Sequence, residues 1–145
     1  MRRALEEALL LPPADRLESL YPVDETTAGD FCRWTIERLK LPSVRFCGNE
    51  NKRVRSVAVL NGGEGITRTA DCMQAVLRQA PDLILCGETD EYPQWTVRDL
   101  GIPMLEIGHT NSDNLGLERF AAALQVWAPE VETIFYLVER PWRCF

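Results

Sequence analysis

The chain predicts a single α/β domain in which helices pack on a mixed, largely parallel sheet. Three observations carry this. Short β-branched or apolar runs alternate with stretches of helical periodicity from about residue 28 onward. Glycine or proline closes most of those stretches. The 145-residue length, 46% apolar and 26% charged content match one ordinary folded domain with a sizeable core.

The first 27 residues are the least regular. Leu5, Leu9 and Leu10 fall at helical spacing before Pro12 and Pro13 stop the run, and a second short helix is expected over Asp15–Leu20, ended by Pro22. We therefore divide the chain into an irregular or helical segment, 1–27, and an α/β domain, 28–145. Thr27 suits an N-cap, with Phe31, Trp34, Thr35 and Leu39 forming the following helical face. Val44, Phe46 and the run Val54–Leu60 read as strands separated by the turn GNENK. After the turn NGGEG, the residues Ile66, Ala70, Met73, Leu77 and Ala80 mark a helix that Pro81 ends. DLILCG is a short buried strand, Tyr92–Leu100 a helix closed by Gly101 and Pro103, and PMLEIG the next strand. Leu117, Phe120, Ala121, Leu124 and Trp127 describe an amphipathic helix, and Val131–Val138 a final strand.

Charge and cysteine content narrow the function. A net charge of −6 and a pI near 4.9 disfavour phosphate backbones, and no basic cluster offsets this, so no nucleic-acid partner is expected. Arg53 and Arg55 read as ordinary edge charges. The opening MRRALEEALL has two arginines, but Glu6 and Glu7 interrupt at once, so a signal peptide is not indicated. No run approaches the roughly 20 apolar residues of a membrane span. Five cysteines without a C-x-x-C pair suggest buried thiols in a reducing, cytoplasmic setting.

Ligands of such sheets gather beyond the carboxyl ends of parallel strands, where three loops should share one rim. In Asn61-Gly62-Gly63-Glu64-Gly65, the glycines Gly62, Gly63 and Gly65 would let backbone amides approach an anion, or simply make a tight strand-to-helix turn. In Cys86-Gly87-Glu88-Thr89-Asp90-Glu91, the acids Glu88 and Glu91 could polarise a water or hold a cation, or else meet a helix dipole. In Gly108-His109-Thr110-Asn111-Ser112-Asp113, His109 and Asp113 suit a divalent ion, while Thr110 and Asp113 equally fit a helix capping box. Two donors alone hold a metal weakly.

In order, VAVLNGGEG, LILCGE and GHTNSD resemble the C-terminal lobe of the Nif-three-like family, whose members are also called GTP cyclohydrolase type 2 homologues. The lead-in IERLKLPSVRFCGNENKRVRSVAV and the ending PWRCF are similar too, so the resemblance covers about Ala28 to Phe145. It implies a divalent-metal site (zinc, iron or manganese) between two lobes, with His109 and Asp113 as ligands. Asp113 stands where the family has Glu, and Tyr92 where many members have His. The family's other ligands, a His-His pair and an aspartate, belong to an N-terminal lobe, and this chain has one histidine in all. The expectation is a reduced member, a fragment or half of a two-chain site, with at most a partial metal site and possibly no metal. It would act as a non-catalytic binding or assembly module. The alternative is a metal-dependent hydrolase completed by a second chain, with Glu88 or Glu91 as general base. A leftover apolar face implies a homo-oligomer or a partner lobe, with Trp95, Trp142 and Phe145 as residues to cover it.

Overall fold

A computed structural model describes residues 2–11 and 20–138. The elements are α1 (Arg2–Ala8), β1 (Leu20–Thr27), α2 (Ala28–Leu39), β2 (Arg45–Cys47), β3 (Arg53–Leu60), α3 (Ala70–Leu77, preceded by a 3-10 turn at Thr67–Thr69), β4 (Leu83–Cys86), α4 (Glu91–Asp99), β5 (Met104–Glu106) and α5 (His109–Trp127). Five strands form one mixed sheet in the order β1-β3-β4-β5-β2. The central pairs β3–β4 and β4–β5 are parallel, and both edge strands run antiparallel to their neighbours.

Strand periodicity explains the two-sided core. Successive side chains of a strand point to opposite faces. Val57, Val59, Leu83, Leu85 and Leu105 therefore pack on one face with Leu5, Leu9, Tyr21 and Phe31. Ala58, Leu60, Ile84, Cys86 and Met104 face the other side, against Met73, Val76 and Val97. Strands covered on both faces read as continuous apolar runs, which is the pattern of VAVL and LILC.

Thr27 caps α2 as expected: its Oγ1 accepts from the Asp30 amide at 3.1 Å. Phe31 and Thr35 of the anticipated face are buried, and Trp34 and Leu39 pack against the same core. Arg53 and Arg55 pair with Glu25 on the edge strand β1. Among the described residues Cys32, Cys47, Cys72 and Cys86 are free thiols. No helix among those residues is long and apolar enough to cross a membrane.

Three expectations need correction. The stretch before Ala28 is not wholly irregular or helical, because Leu20–Thr27 is a strand of the sheet. Pro22 is tolerated there because β1 is an edge strand with a register shift between Pro22 and Thr26. Tyr21 is fully buried and its hydroxyl donates to Glu6 at 2.6 Å, which fixes α1 on the sheet. The helix expected over Asp15–Leu20 falls on residues outside the described ones, except that Leu20 opens β1.

Val131–Val138 forms no strand. Its composition favours β structure, but a strand exists only where a neighbour accepts its hydrogen bonds. The segment instead lies beside α5, held where Gln125 Oε1 accepts from the Thr133 amide (3.1 Å) and Asn114 Nδ2 donates to the Val138 carbonyl (2.9 Å). The apolar stripe of α5 is also not core. Its buried residues are Ser112, Asn114 and Gly116, whereas Phe120 and Trp127 are 57% and 81% exposed. The helical period is right, but the last eleven residues, Leu117 to Trp127, include none that is buried.

Candidate functional site

Register builds the rim. Leu60 pairs with Cys86, and Cys86 with Glu106, so the last residues of β3, β4 and β5 lie side by side. The chain therefore leaves all three strands on one edge, bringing the NGGEG turn, the CGET loop and the start of α5 together.

Close backbone approach fastens these loops. The Gly87 amide donates to Leu60 O (2.9 Å) and the Glu88 amide to Gly62 O (2.8 Å), while Gly65 and Thr89 form a parallel bridge. A Cβ on Gly87 would sit 2.6 Å from Gly62 O and 2.5 Å from Ser112 Oγ, so only glycine fits. Ser112 is fully buried. Its Oγ accepts from the Gly62 amide (3.0 Å) and donates to His109 O (2.7 Å), clipping α5 to the NGGEG turn. Sequence reasoning missed Ser112, which sat unremarked inside GHTNSD.

Gly108, with φ +96°, turns the chain into α5, and His109 is the first helical residue. Asp113 follows one turn later on the same side. His109 Nε2 lies 3.1 Å from Asp113 Oδ2, and Nδ1 lies 2.7 Å from Glu88 Oε2. The ring thus spans two carboxylates. The Glu88 hydrogen bond pushes the His109 pKa up; partial burial opposes it, and the charge of Asp113 adds to it.

This arrangement overturns the capping-box reading. Thr110 is already inside α5, Gly108 holds the N-cap position without a side-chain bond, and Asp113 faces His109. An N-cap residue must have extended backbone just before the helix, which Thr110 does not.

The other site candidates separate. Gly62 and Gly63 lie against the histidine: a Cβ on Gly62 would stand 3.2 Å from both His109 Nε2 and Asp113 Oδ1, and one on Gly63 3.6 Å from His109 Cε1. Gly65 serves packing, since its Cβ would meet Glu88 O at 2.6 Å. Asp90 caps α4 through the Tyr92 amide and binds Thr67. Glu91 occupies the first turn of α4, as acids near a helix dipole do, and lines a shallow depression with Cys47, Gln94, Trp95 and Arg98. Beside the rim, Arg45 pairs with the nearly buried Glu106 and donates to Thr89 O at 2.8 Å.

The donor set fits part of a divalent-metal site. Two ligands about 2.1 Å from a tetrahedral ion are separated by roughly 3.4 Å, and the His109–Asp113 spacing of 3.1 Å is close to that. A side chain at position 62 would crowd both donors, and glycine brings none. Glu88 on Nδ1 stands where an outer carboxylate sits at a metal-bound imidazole, an arrangement that directs the Nε2 lone pair outward. Among the described residues, no group of three or more His, Cys, Asp or Glu side chains is placed to hold an ion.

The model of the family Duf34/NIF3 (NGG1p interacting factor 3) matches residues 16–141. The chain belongs to the Duf34/NIF3 family. A Clostridium acetobutylicum protein named GTP cyclohydrolase 1 type 2 homolog is 26% identical over 87 residues, covering 60% of this chain and 31% of that protein. A Staphylococcus aureus protein of the same name is 27% identical over 104 residues, covering 72% of this chain and 27% of that one. The chain thus spans less than a third of the length of these two relatives. Its Duf34/NIF3 fold matches the crystal structure of a Bacillus cereus protein related to NIF3 (TM-score 0.74, 18% identity, 87% of this chain and 35% of that one). It also matches reduced HcgD from Methanocaldococcus jannaschii (TM-score 0.64, 17% identity, 86% and 50%).

Proposed function

We propose that this Duf34/NIF3 chain is a non-catalytic binding or assembly module whose rim offers a divalent ion two donors, His109 Nε2 and the Asp113 carboxylate. The observation that carries this is the 3.1 Å spacing of those two donors, with Glu88 on the far ring nitrogen and no side chain at Gly62 to crowd them. His109 binds, Asp113 binds, and Glu88 orients the ring. Zinc, iron and manganese all accept this pairing, and zinc suits it best. Two donors give weak retention, so full coordination needs donors from outside these residues.

The name of the curated relatives favours a second reading, metal-dependent hydrolysis with the site completed by a second chain. A bound ion would there supply an activated water. Two placements count against it in this chain. Glu88 is committed to Nδ1, and Glu91 lines a different depression, so neither stands free as a general base.

Dialysis followed by elemental analysis and a GTP turnover assay separates the two. The module reading expects well under one ion per chain and no turnover. Near-stoichiometric metal together with GTP turnover would establish the hydrolase instead.

A further inference from the structure

The sheet ends at β2. This strand pairs with β5 on one side, and no strand among the described residues lies on the other. In an antiparallel pair every second residue turns its backbone N–H and C=O away from the neighbour. Outside the β2–β5 pair, no backbone hydrogen bond among the described residues uses Arg45, Phe46 or Cys47. A groove follows this edge. Arg45, Phe46, Cys47 and Gln94 line one end of it, and Cys47, Gln94, Trp95 and Arg98 the other. Consecutive side chains of a strand point to opposite faces, so a depression that touches all three residues of β2 runs along its edge. The opposite wall is one face of α4, since Glu91, Gln94, Trp95 and Arg98 stand at i, i+3, i+4 and i+7. Pro93 and Val97, buried on the adjoining face, hold that helix in place.

We propose that this groove takes an extended peptide segment of a partner protein, added to the sheet as a strand between β2 and α4. The backbone argues for it. A strand edge facing a helix is satisfied by an extended chain, whose own N–H and C=O groups continue the ladder. The volumes argue for it too. The two depressions measure about 280 and 250 Å³, each below the roughly 300–1,000 Å³ of a small-molecule pocket, so they suit separate side chains of a strand better than one compact ligand. Charge then selects the guest. Glu91 and Arg98 stand at opposite ends of the helix wall, roughly 10 Å apart by helical rise, and neither forms an ion pair with a described residue. Arg98 instead stacks 4.7 Å from the centroid of the Trp95 ring, which leaves its N–H groups for an acceptor. The fitting segment carries an acidic residue toward Arg98, a basic residue toward Glu91 and an apolar side chain between them on Trp95, which is 55% exposed. Three residues of β2 offer few ladder bonds, so the Trp95 contact must supply much of the affinity. None of these residues is a proposed metal ligand and the test uses no metal, so the inference stands apart from the metal reading.

Selection of a phage-displayed library of random nine-residue peptides on the full chain tests it, followed by titration of the enriched peptide against wild type, Trp95→Ala and the control Trp127→Ala. Trp127 is also exposed, at 81%, but lies on α5. The expected result is an enriched sequence with an apolar residue between opposite charges. Its affinity should fall about tenfold or more in Trp95→Ala and stay unchanged in Trp127→Ala, while circular dichroism of both variants stays native. A second measurement leaves the protein unaltered. Methylating the peptide's backbone nitrogens one at a time should abolish binding at alternate positions and spare those between, because only every second N–H of an added strand faces β2. A library that yields no binder overturns the proposal. So does a binder that depends on Trp127 rather than Trp95, or one whose affinity shows no alternation on methylation.

Discussion

Glu88 Oε2 lies 2.7 Å from His109 Nδ1, although twenty residues and one helix separate them in the chain. The contact exists because β4 and β5 are adjacent and parallel, so both residues leave the sheet on the same rim. It fixes which ring nitrogen faces Asp113.

This pair sets a pH dependence. The His109 pKa is raised, first by Glu88, so the folded value lies above the unfolded one near 6.5. Its stabilisation is complete below the unfolded pKa and is lost as pH rises through the folded pKa. The chain has one histidine, so a single imidazole signal reports it. NMR titration of the metal-free protein should give a midpoint above 6.5, moving down in Glu88→Gln. An unchanged midpoint in that variant would remove Glu88 as the cause.

Gly62 should be sensitive for two separable reasons. Its φ of +46° costs a side chain about 1–2 kcal/mol, and a Cβ there would crowd His109 Nε2 and Asp113 Oδ1. Gly101 is the control, with φ +66° and nothing within 4 Å of its Cβ. Gly62→Ala and Gly101→Ala should each lose roughly 1 kcal/mol in denaturant unfolding. Only Gly62→Ala should also lose its response to metal.

Arg45 and Glu106 should be coupled. Glu106 is 9% exposed, and Arg45 both neutralises it and reaches Thr89 O in the CGET loop. Arg45→Ala leaves a nearly buried carboxylate unpaired and should cost about 2–3 kcal/mol. The double variant Arg45→Ala/Glu106→Gln should cost less than the two single changes together, as read from a double-mutant cycle of unfolding free energies. Additive losses would mean the two side chains act independently.

Much of this was legible in the sequence because strands and helices announce themselves by period. VAVL and LILC, flanked by glycine loops, gave the parallel core, and Thr27 gave the start of α2. The shared rim followed from strand alternation alone. What failed depended on partners that local sequence does not reveal. Leu20–Thr27 pairs because an edge of β3 is free for it, and Val131–Val138 stays unpaired because it is tied to α5 rather than to an edge of the sheet. The stripe of α5 reads as core by period, yet burial also needs an opposing surface. In GHTNSD the residue types suited both a cap and a ligand pair, and Gly108 as N-cap opens the helix two residues earlier than a Thr110 cap would, which removes the cap reading.

In the proposed function His109 and Asp113 act together as a divalent-metal half-site. The measurement that tests it most directly is the melting temperature of wild type, His109→Ala and Asp113→Ala during titration with zinc or manganese. An ion at ten times its dissociation constant stabilises by about 1.4 kcal/mol, which for a chain of this size raises the melting temperature by roughly 3–6 °C. That rise is expected in wild type and in neither variant. A wild type that does not respond, or a response that survives His109→Ala, would contradict it.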